Sequence, residues 1–180
     1  MSSLAPYVLS SEDAVKKMLE VAELRPFHPR SSLIWNGEIL IPKRNIALVA
    51  HDNKKDDLVE WANFNKGTLG SHNLYATGDT GKRIMEKTGL KVTLLKGGSY
   101  GGDMELGAMI ANEKLDYLIF FWDPLSSLPH DVDVKALLRI SVLYNVPTAC
   151  NRSTADLIIS SHLFQSTEYV PARGPLDASK

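Results

Sequence analysis

Residues 46–55 read IALVAHDNKK, an apolar run of five residues followed directly by a polar and charged stretch. The run from Ile46 to Ala50 has no polar alternation, which is typical of a strand buried on both faces, as in a parallel sheet. The polar residues after it would then lie at the carboxyl end of that strand. In an open parallel sheet this is the edge where ligands bind. The stretch therefore predicts both a fold class and the position of a site.

The same succession of apolar run, turn and amphipathic stretch repeats from Arg44 to about Phe164. Alternating strands and helices imply right-handed crossovers and helices on both faces of the sheet. We therefore expect an α/β fold, a three-layer doubly wound sandwich around a mainly parallel five-stranded sheet. The predicted strands are Ile46–Ala50, Leu74–Thr77, Val92–Leu95, Tyr117–Phe121 and Pro147–Cys150. The predicted helices are Asp56–Phe64, Lys82–Lys87, Met104–Asn112, Asp133–Tyr144 and Thr154–His162, the fourth with an apolar stripe of Val134, Leu137, Leu138 and Val142.

The first 43 residues do not follow this pattern. Ser10 or Ser11 is a suitable N-cap for a helix that would run to about Leu24. Asn36-Gly37 stands between two apolar triplets, and this dipeptide favours the turn of a β-hairpin. We expect an N-terminal extension of a helix plus a hairpin at residues 1–43, a main domain at 44–165, and an extended tail at 166–180.

The composition is that of an ordinary soluble protein. The chain has 180 residues, with 20 Lys and Arg against 21 Asp and Glu, which suits one domain of about 100–200 residues. Near-neutral charge argues against binding to nucleic acid or to an anionic membrane, because both need clustered Lys and Arg. The single cysteine, Cys150, excludes an internal disulfide framework. No apolar run approaches the ~20 residues of a membrane span, and the N-terminus does not resemble a signal peptide, so we expect a cytoplasmic protein.

Two of the predicted strand-to-helix turns carry residues suited to an anion. In the first, His51–Lys55, a lysine in the first turn of a helix opposes the helix dipole unless a phosphate binds there. The second, TGDTG at 77–81, offers glycines for close backbone approach and two hydroxyl donors, but matches no ATP or NAD motif. Each is also compatible with an ordinary helix start, capped by Asp52 in one and by Asp79 or Thr80 in the other.

Two further turns carry residues suited to proton transfer. Residues 97–103, GGSYGGD, have four glycines in six positions, which favours backbone amides presented to an anion beside Asp103; a flexible surface loop is the alternative. Residues 122–133 place His130 among three aspartates and next to a proline. A neighbouring carboxylate fixes the tautomer of a histidine and favours its protonation, as in a proton shuttle. The alternatives are that Asp123 is a turn residue and Asp133 a helix cap, or that a histidine and aspartates bind a metal.

Four stretches together resemble the methylglyoxal synthase family. They are IALVAHDNKK at 46–55, LYATGDTG at 74–81, GGD at 101–103 and FFWDPLSSLPHDVDVKALLR at 120–139. The match runs in order from about Asn45 to Phe164, and residues 1–43 fall outside it. The resemblance implies that family's fold, typically in a homohexamer. It also implies elimination of phosphate from dihydroxyacetone phosphate to give methylglyoxal and inorganic phosphate, with no metal or organic cofactor and with phosphate as an inhibitor.

The resemblance also implies roles for single residues. Asp103 matches the carboxylate that abstracts a proton next to the carbonyl to give an enediolate. His130 matches the histidine that bonds the substrate oxygens and shuttles a proton. His51 and Lys55 match substrate-binding positions. The segments that cradle phosphate match Thr77, Gly78, Asp79, Thr80, Gly97 and Gly98. The acids that organise the site match Asp52, Asp123 and Asp133. Arg173 aligns loosely with an arginine that is lent to a neighbouring subunit.

Two positions depart from the family's pattern. Gly97 stands where the second phosphate cradle usually has a serine, and Asp79 stands where the first has a threonine. A carboxylate at position 79 would repel a phosphate dianion unless it points away. The residues still provide a base, donors for the carbonyl oxygen and a cradle for the leaving group, which the reaction needs. The alternative is a non-catalytic regulatory module of the same fold that binds phosphate or a metabolite, which would not need Asp103 and His130 together.

Overall fold

The computed structural model of the chain describes residues 34–35, 38–39, 43–125, 131–166, 169 and 174. By its contacts the chain divides into one unit of Met1–Pro42 with Ser160–Val170 and another of Lys43–Ile159 with Pro171–Lys180. In the first unit, β1 (Ile34–Trp35) pairs antiparallel with β2 (Glu38–Ile39), which confirms the predicted hairpin. The expected helix up to Leu24 and most of the expected tail lie outside the described residues, and the predicted domain limits stay a prediction.

The second unit is built on five parallel strands, which confirms the predicted sheet. The strands are β3 (Asn45–Ala50), β4 (Asn73–Thr77), β5 (Val92–Leu95), β6 (Tyr117–Phe121) and β7 (Thr148–Ala149). Their order in the sheet is β5-β4-β3-β6-β7. The central strand, β3, pairs with β4 on one side and β6 on the other, so that Ile46 lies opposite both Leu74 and Tyr117. The chain thus begins the sheet in its middle and builds outward in both directions.

Helices cover both faces of this sheet, as the alternating pattern predicts. They are α1 (Lys55–Phe64), α2 (Lys66–Leu69), α3 (Gly78–Thr88), α4 (Gly102–Ala111), α5 (Asp131–Leu143) and α6 (Arg152–Ser160). The short helix α7 (His162–Gln165) belongs to the first unit. The predicted start of α3 is wrong by four residues, because the glycine-rich TGDTG stretch forms its first turn rather than a loop. No helix in the described parts of the chain combines the length and apolar character that crossing a bilayer would need.

Alternate residues of the central strands face opposite helix layers. On one face a single apolar cluster joins the sheet to α4 and α5, and its members include Ala47, Val49, Leu118 and Phe120 from the strands and Leu106, Ile110, Val134 and Leu137 from the helices. On the other face, the ring of Trp61 in α1 lies 6.0 Å from the ring of Phe121, measured between centroids. On that face a Cβ on Gly81 of α3 would overlap the Leu94 side chain. Glycine therefore allows α3 to lie close against the sheet.

Two expectations about burial are wrong. Strand β5 is not buried on both faces: Thr93 and Leu94 are exposed, because β5 ends the sheet and has only β4 beside it. In α5, Val142 does not belong to the buried stripe, since it is 75% exposed. The position is taken by Ser141, which is 1% exposed and donates its hydroxyl proton to the carbonyl oxygen of Leu137 at 2.8 Å. A polar residue continues the stripe because its hydrogen bond is satisfied within the helix.

Candidate active site

The carboxyl ends of the parallel strands bring the predicted turns to one edge of the sheet. His51 follows β3, Gly78 follows Thr77 at the end of β4, and Lys96 follows β5. Asp123 lies two residues beyond β6. The sheet order reverses at β3, because the chain goes next to β4 on one side and later returns to β6 on the other. A crevice at such a reversal is where open α/β sheets bind ligands.

The His51 ring is buried at this edge and has a defined orientation. The residue is 8% exposed, and its ring meets that of Phe120 edge to face with the centroids 5.2 Å apart. The backbone N–H of Asp123 donates to His51 Nδ1 at 3.3 Å. Because Nδ1 accepts, the ring proton lies on Nε2. This buried Nε2 has no hydrogen-bond partner among the described residues, so His51 offers a donor that none of them uses.

Asp123 is held in place by two donors. The side-chain amide of Asn53 donates to Asp123 Oδ2 at 2.9 Å, and the backbone N–H of Leu125 donates to Oδ1 at 3.1 Å. These bonds, the one from Asn53 first, hold the pKa of the Asp123 carboxyl below its ordinary value. The predicted supporting acid thus sets the turn whose N–H orients His51. Sequence reasoning did not assign a role to Asn53, although its place between the two site positions His51 and Lys55 was a signal.

Lys55 lies between two carboxylates. Its Nζ is 2.6 Å from Asp52 Oδ1 and 3.1 Å from Asp79 Oδ2, and its side chain is 15% exposed. Burial lowers the pKa of Lys55, but the bonds to the two acids outweigh it and leave the pKa raised. The bond from Lys55 is likewise the main reason that the pKa values of Asp52 and Asp79 are lowered. The ammonium group is therefore charged and faces the start of α3.

The Asp79 carboxylate has a second cation beside it. Arg83 Nε lies 3.0 Å from Asp79 Oδ2, the same oxygen that Lys55 contacts, and Arg83 Nη1 lies 3.1 Å from Asp56 Oδ1. Asp79 is therefore part of an ion-pair network and is not an uncompensated charge in the cradle. Arg83 was missed from the sequence, although its spacing of four residues from Asp79 on a helix is the usual spacing for such a pair.

The two predicted phosphate cradles touch each other. A Cβ on Gly78 would lie 3.3 Å from both the Cα and the N of Gly97, so glycine at position 78 allows the two backbones to meet. Thr77 is the N-cap of α3 and makes no side-chain capping bond. Thr80, one turn into the helix, is 1% exposed, and its Oγ1 has no hydrogen-bond partner in the parts of the chain described here. A buried hydroxyl without a partner at a helix N-terminus is suited to an anion.

The glycine-rich segment after β5 is a hydrogen-bonded turn. The backbone N–H groups of Tyr100 and Gly102 both donate to the carbonyl oxygen of Gly97, at 2.9 Å and 3.0 Å. Gly101 has a φ of 92°, which favours glycine, and a Cβ on Gly102 would overlap the carbonyl oxygen of Lys96. Two of the four glycines therefore have a backbone reason of their own, apart from any ligand.

Asp103 lies in the first turn of α4, directly after this segment. A Cβ on Gly98 would lie 3.4 Å from Asp103 Oδ2 and 3.6 Å from Oδ1, so the carboxylate lies against the backbone of the turn. The helix N-terminus favours a negative charge at this position. The half-buried carboxylate of Asp103 and the contact between Gly97 and Gly78 thus put a carboxylate beside both predicted cradles.

The remaining predicted residues are described only in part. Asp133 lies in the first turn of α5, whose N-terminus follows β6 and so faces the same edge of the sheet. His130 and Arg173 lie outside the described residues. Within residues 43–125 and 131–166, no group of three or more His, Cys, Asp or Glu side chains is placed to hold a metal ion.

Comparison with known proteins gives one consistent result. The model of the MGS-like domain family matches residues 57–150. A methylglyoxal synthase from Hahella chejuensis is 52% identical over 134 residues, which are 74% of this chain and 86% of that protein. One from Leptospira interrogans is 56% identical over 131 residues, 72% of this chain and 88% of that protein. The crystal structure of methylglyoxal synthase from Elizabethkingia anophelis NUHP1 matches with a TM-score of 0.66 and 51% identity, covering 71% of this chain and 84% of that one.

Proposed function

The chain belongs to the methylglyoxal synthase family, and we propose that it eliminates phosphate from dihydroxyacetone phosphate to give methylglyoxal and inorganic phosphate, with Asp103 as the base. The observation that carries this proposal is the contact of the Asp103 carboxylate with Gly98, in a turn whose Gly97 touches Gly78. A base is thereby adjacent to two backbone segments suited to phosphate. A module that only binds an anion has no use for a carboxylate at this place, because it would repel the ligand.

The first step is removal of a proton. Asp103 takes a proton from the hydroxyl-bearing carbon next to the carbonyl, and the electron pair of that C–H bond forms the double bond of an enediolate. Negative charge then develops on the carbonyl oxygen, where hydrogen-bond donors stabilise it. His51 Nε2–H is a buried donor with no partner among the described residues and is available to this oxygen. By family resemblance His130 also bonds the substrate oxygens and carries a proton between them.

The second step is loss of phosphate. The former carbonyl oxygen first takes up a proton, which converts the enediolate into the enediol. The enediol then gives up its terminal hydroxyl proton, and that O–H electron pair forms the aldehyde. The double bond shifts, and the C–O bond to phosphate breaks with its electrons on the leaving oxygen. The resulting enol takes up a proton at its methylene carbon and loses its hydroxyl proton, which gives methylglyoxal. Lys55, the Thr80 hydroxyl and the backbone at Gly78 and Gly97 are the groups that would hold the phosphate. Positioning and charge stabilisation of this kind are what such an elimination requires.

Family membership also supports several finer proposals. The enzyme would be a carbon–oxygen lyase that works without a metal or organic cofactor. We further propose that it is cytoplasmic, that it assembles as a homohexamer, and that inorganic phosphate inhibits it by occupying the cradle of Thr77, Gly78, Asp79, Thr80, Gly97 and Gly98.

The direct test is an assay of the purified full chain with dihydroxyacetone phosphate. We expect methylglyoxal and inorganic phosphate to appear in equal amounts, with no added metal and with chelator present. A His130→Gln variant should lose most of this activity and still bind phosphate. If the wild-type chain bound phosphate but formed no methylglyoxal, the proposal would be wrong and the chain would be a regulatory binding module.

A further inference from the structure

Arg83 contacts the one carboxylate that does not suit a phosphate cradle. Its Nε lies 3.0 Å from Asp79 Oδ2, and its Nη1 lies 3.1 Å from Asp56 Oδ1 on α1. Arg83 thus connects α3 to α1, the helices that follow β4 and β3. Arg83 is not among the residues that match the family's functional positions.

Lys55 has to be shared when a phosphate binds. An ammonium group has three protons to donate, and two of them are directed at Asp52 Oδ1 and Asp79 Oδ2, at 2.6 Å and 3.1 Å. A phosphate dianion at the start of α3 would therefore compete with Asp79 for the same cation. If Lys55 were the only cation on Asp79, binding would leave a carboxylate and a dianion close together with one positive charge between them.

Arg83 removes this conflict, because it contacts the same Asp79 oxygen as Lys55. We propose that Arg83 is a specificity-determining positioning residue, which holds and neutralises the Asp79 carboxylate so that Lys55 is available to the phosphate group of a phosphorylated substrate. Arg83 itself need not touch the substrate. The inference rests on the proposed function for the identity of the substrate, but its central claim concerns phosphate binding alone.

The size of the effect is limited by solvent. The side chains of Arg83 and Asp79 are 46% and 55% exposed, and half-exposed ion pairs are weak because water and salt screen them. We therefore expect Arg83→Leu to raise the dissociation constant for phosphate by about 3- to 10-fold at low salt. The increase should become smaller as ionic strength rises.

The test is calorimetric titration of the full chain with inorganic phosphate, in four proteins. These are the wild type, Arg83→Leu, Asp79→Thr and the double variant Asp79→Thr with Arg83→Leu. We expect weaker binding in Arg83→Leu, binding at least as tight as wild type in Asp79→Thr, and no further loss when Arg83→Leu is added to Asp79→Thr. The loss caused by removing Arg83 should thus depend on the presence of Asp79. Arg83→Lys, which keeps a cation, should recover part of the affinity.

Lys82→Leu is the matched control. It removes the same charge from the neighbouring position of α3, where the side chain is exposed and no ion pair is present among the described residues. We expect its phosphate affinity to stay within about twofold of wild type, since it lacks the contact with Asp79 and acts only through screened, longer-range charge. A loss in Lys82→Leu equal to that in Arg83→Leu would overturn the inference, because net charge alone would then explain both.

Two other results would also overturn it: unchanged phosphate affinity in Arg83→Leu, or an equal loss in the presence and absence of Asp79. The second would mean that Arg83 affects phosphate binding independently of Asp79. Turnover separates this inference from the proposed function. If the wild type forms methylglyoxal, Arg83→Leu should raise KM and leave kcat unchanged. If no variant forms methylglyoxal but the phosphate affinities follow the expected pattern, the proposed function fails and the role of Arg83 stands.

Discussion

The backbone N–H of Asp123 donates to Nδ1 of His51 across 3.3 Å. A residue after β6 therefore determines which nitrogen carries the proton in a residue after β3, the neighbouring strand. Asn53 completes the arrangement, because its side chain bonds the Asp123 carboxylate at 2.9 Å. The orientation of this proposed substrate donor thus depends on a turn that is stabilised from two sides, and the stability of that turn can be tested by varying pH.

Asn53→Ala removes the main donor to the Asp123 carboxylate. The pKa of Asp123 lies below its ordinary value of 3.8, mainly because of this bond. A carboxyl with a depressed pKa stabilises the fold above the unfolded pKa, and the contribution is lost as the pH falls through the folded pKa. We therefore expect a lower urea midpoint for Asn53→Ala at pH 7, and a difference from wild type that shrinks below pH 3.8.

Asn112→Ala is the control for that experiment. The Asn112 side chain donates to the carbonyl oxygen of Ala108 at 2.7 Å, and no carboxylate takes part in that bond. Its stability difference from wild type should not change between pH 7 and pH 3. A constant difference for Asn53→Ala over the same range would contradict the role assigned to the Asp123 pair.

Asp103→Asn tests the proposed base. The amide keeps the shape of the side chain but cannot accept the proton, so turnover should fall by ~10²–10⁴-fold while phosphate binding is retained. Glu105→Gln removes the same charge two residues further along α4 and keeps an acceptor for the Lys96 N–H. We expect that variant to keep most of its activity. Near-wild-type kcat in Asp103→Asn would exclude it as the base.

Thr80→Val separates stability from binding. Valine has the shape of threonine but no hydroxyl, and the Thr80 Oγ1 is buried without a partner among the described residues. Removing it should leave the ligand-free protein equally stable or up to about 1 kcal/mol more stable, and should weaken phosphate binding. Thermal unfolding with and without phosphate measures both effects. Thr93→Val, on an exposed position of β5, is the control, and it should change neither the stability nor the phosphate affinity.

A loss of stability in Thr80→Val without phosphate would contradict this prediction, because it would mean that the Thr80 hydroxyl has a hydrogen-bond partner in the fold.

A chain shortened to begin at Lys43 tests the predicted domain limits. All residues assigned to the reaction follow that position, so we expect the shortened protein to unfold cooperatively and to keep its kcat. Circular dichroism melting and the methylglyoxal assay give the two readouts. Insoluble or non-cooperative protein would show that residues 1–42 complete a core or a contact between subunits.

The strands and the sheet could be predicted from the sequence. A strand that is buried on both faces has apolar residues at consecutive positions, and such a run is visible in the sequence. The order of the strands was harder to predict. VTLL at 92–95 differs from the central IALVA by a single threonine among apolar residues, yet β5 lies at the edge of the sheet. The order of strands in a sheet depends on pairing between residues far apart in the chain, and the composition of a single strand gives no information about that pairing. The start of α3 was missed because glycine is a poor helix former. In the folded chain Gly78 packs against the Gly97 backbone and Gly81 against the Leu94 side chain, and this packing outweighs the low helix propensity of glycine.

The site could be predicted as a set of residues but not as a network. Asp103 lies against the glycine-rich turn that precedes it, and this proximity follows from sequence spacing alone. The pairing of Lys55 with Asp79 joins residues 24 apart and needs the folded sheet to bring their turns together. For that reason the sequence predicted that Asp79 would repel a phosphate unless its carboxylate pointed away, but did not reveal that the carboxylate lies between Lys55 and Arg83.

Gly102 carries no reactive group, yet position 102 tolerates no side chain, because a Cβ there would overlap the carbonyl oxygen of Lys96. That oxygen belongs to the backbone and cannot rotate aside, so any substitution has to move the start of α4, and Asp103 is the next residue. A genetic screen for inactive alleles should therefore recover Gly102 beside the catalytic positions. Such alleles would be expected to resist suppression by changes elsewhere in the chain, since the obstacle is main-chain geometry and not a side chain that a second mutation could shorten.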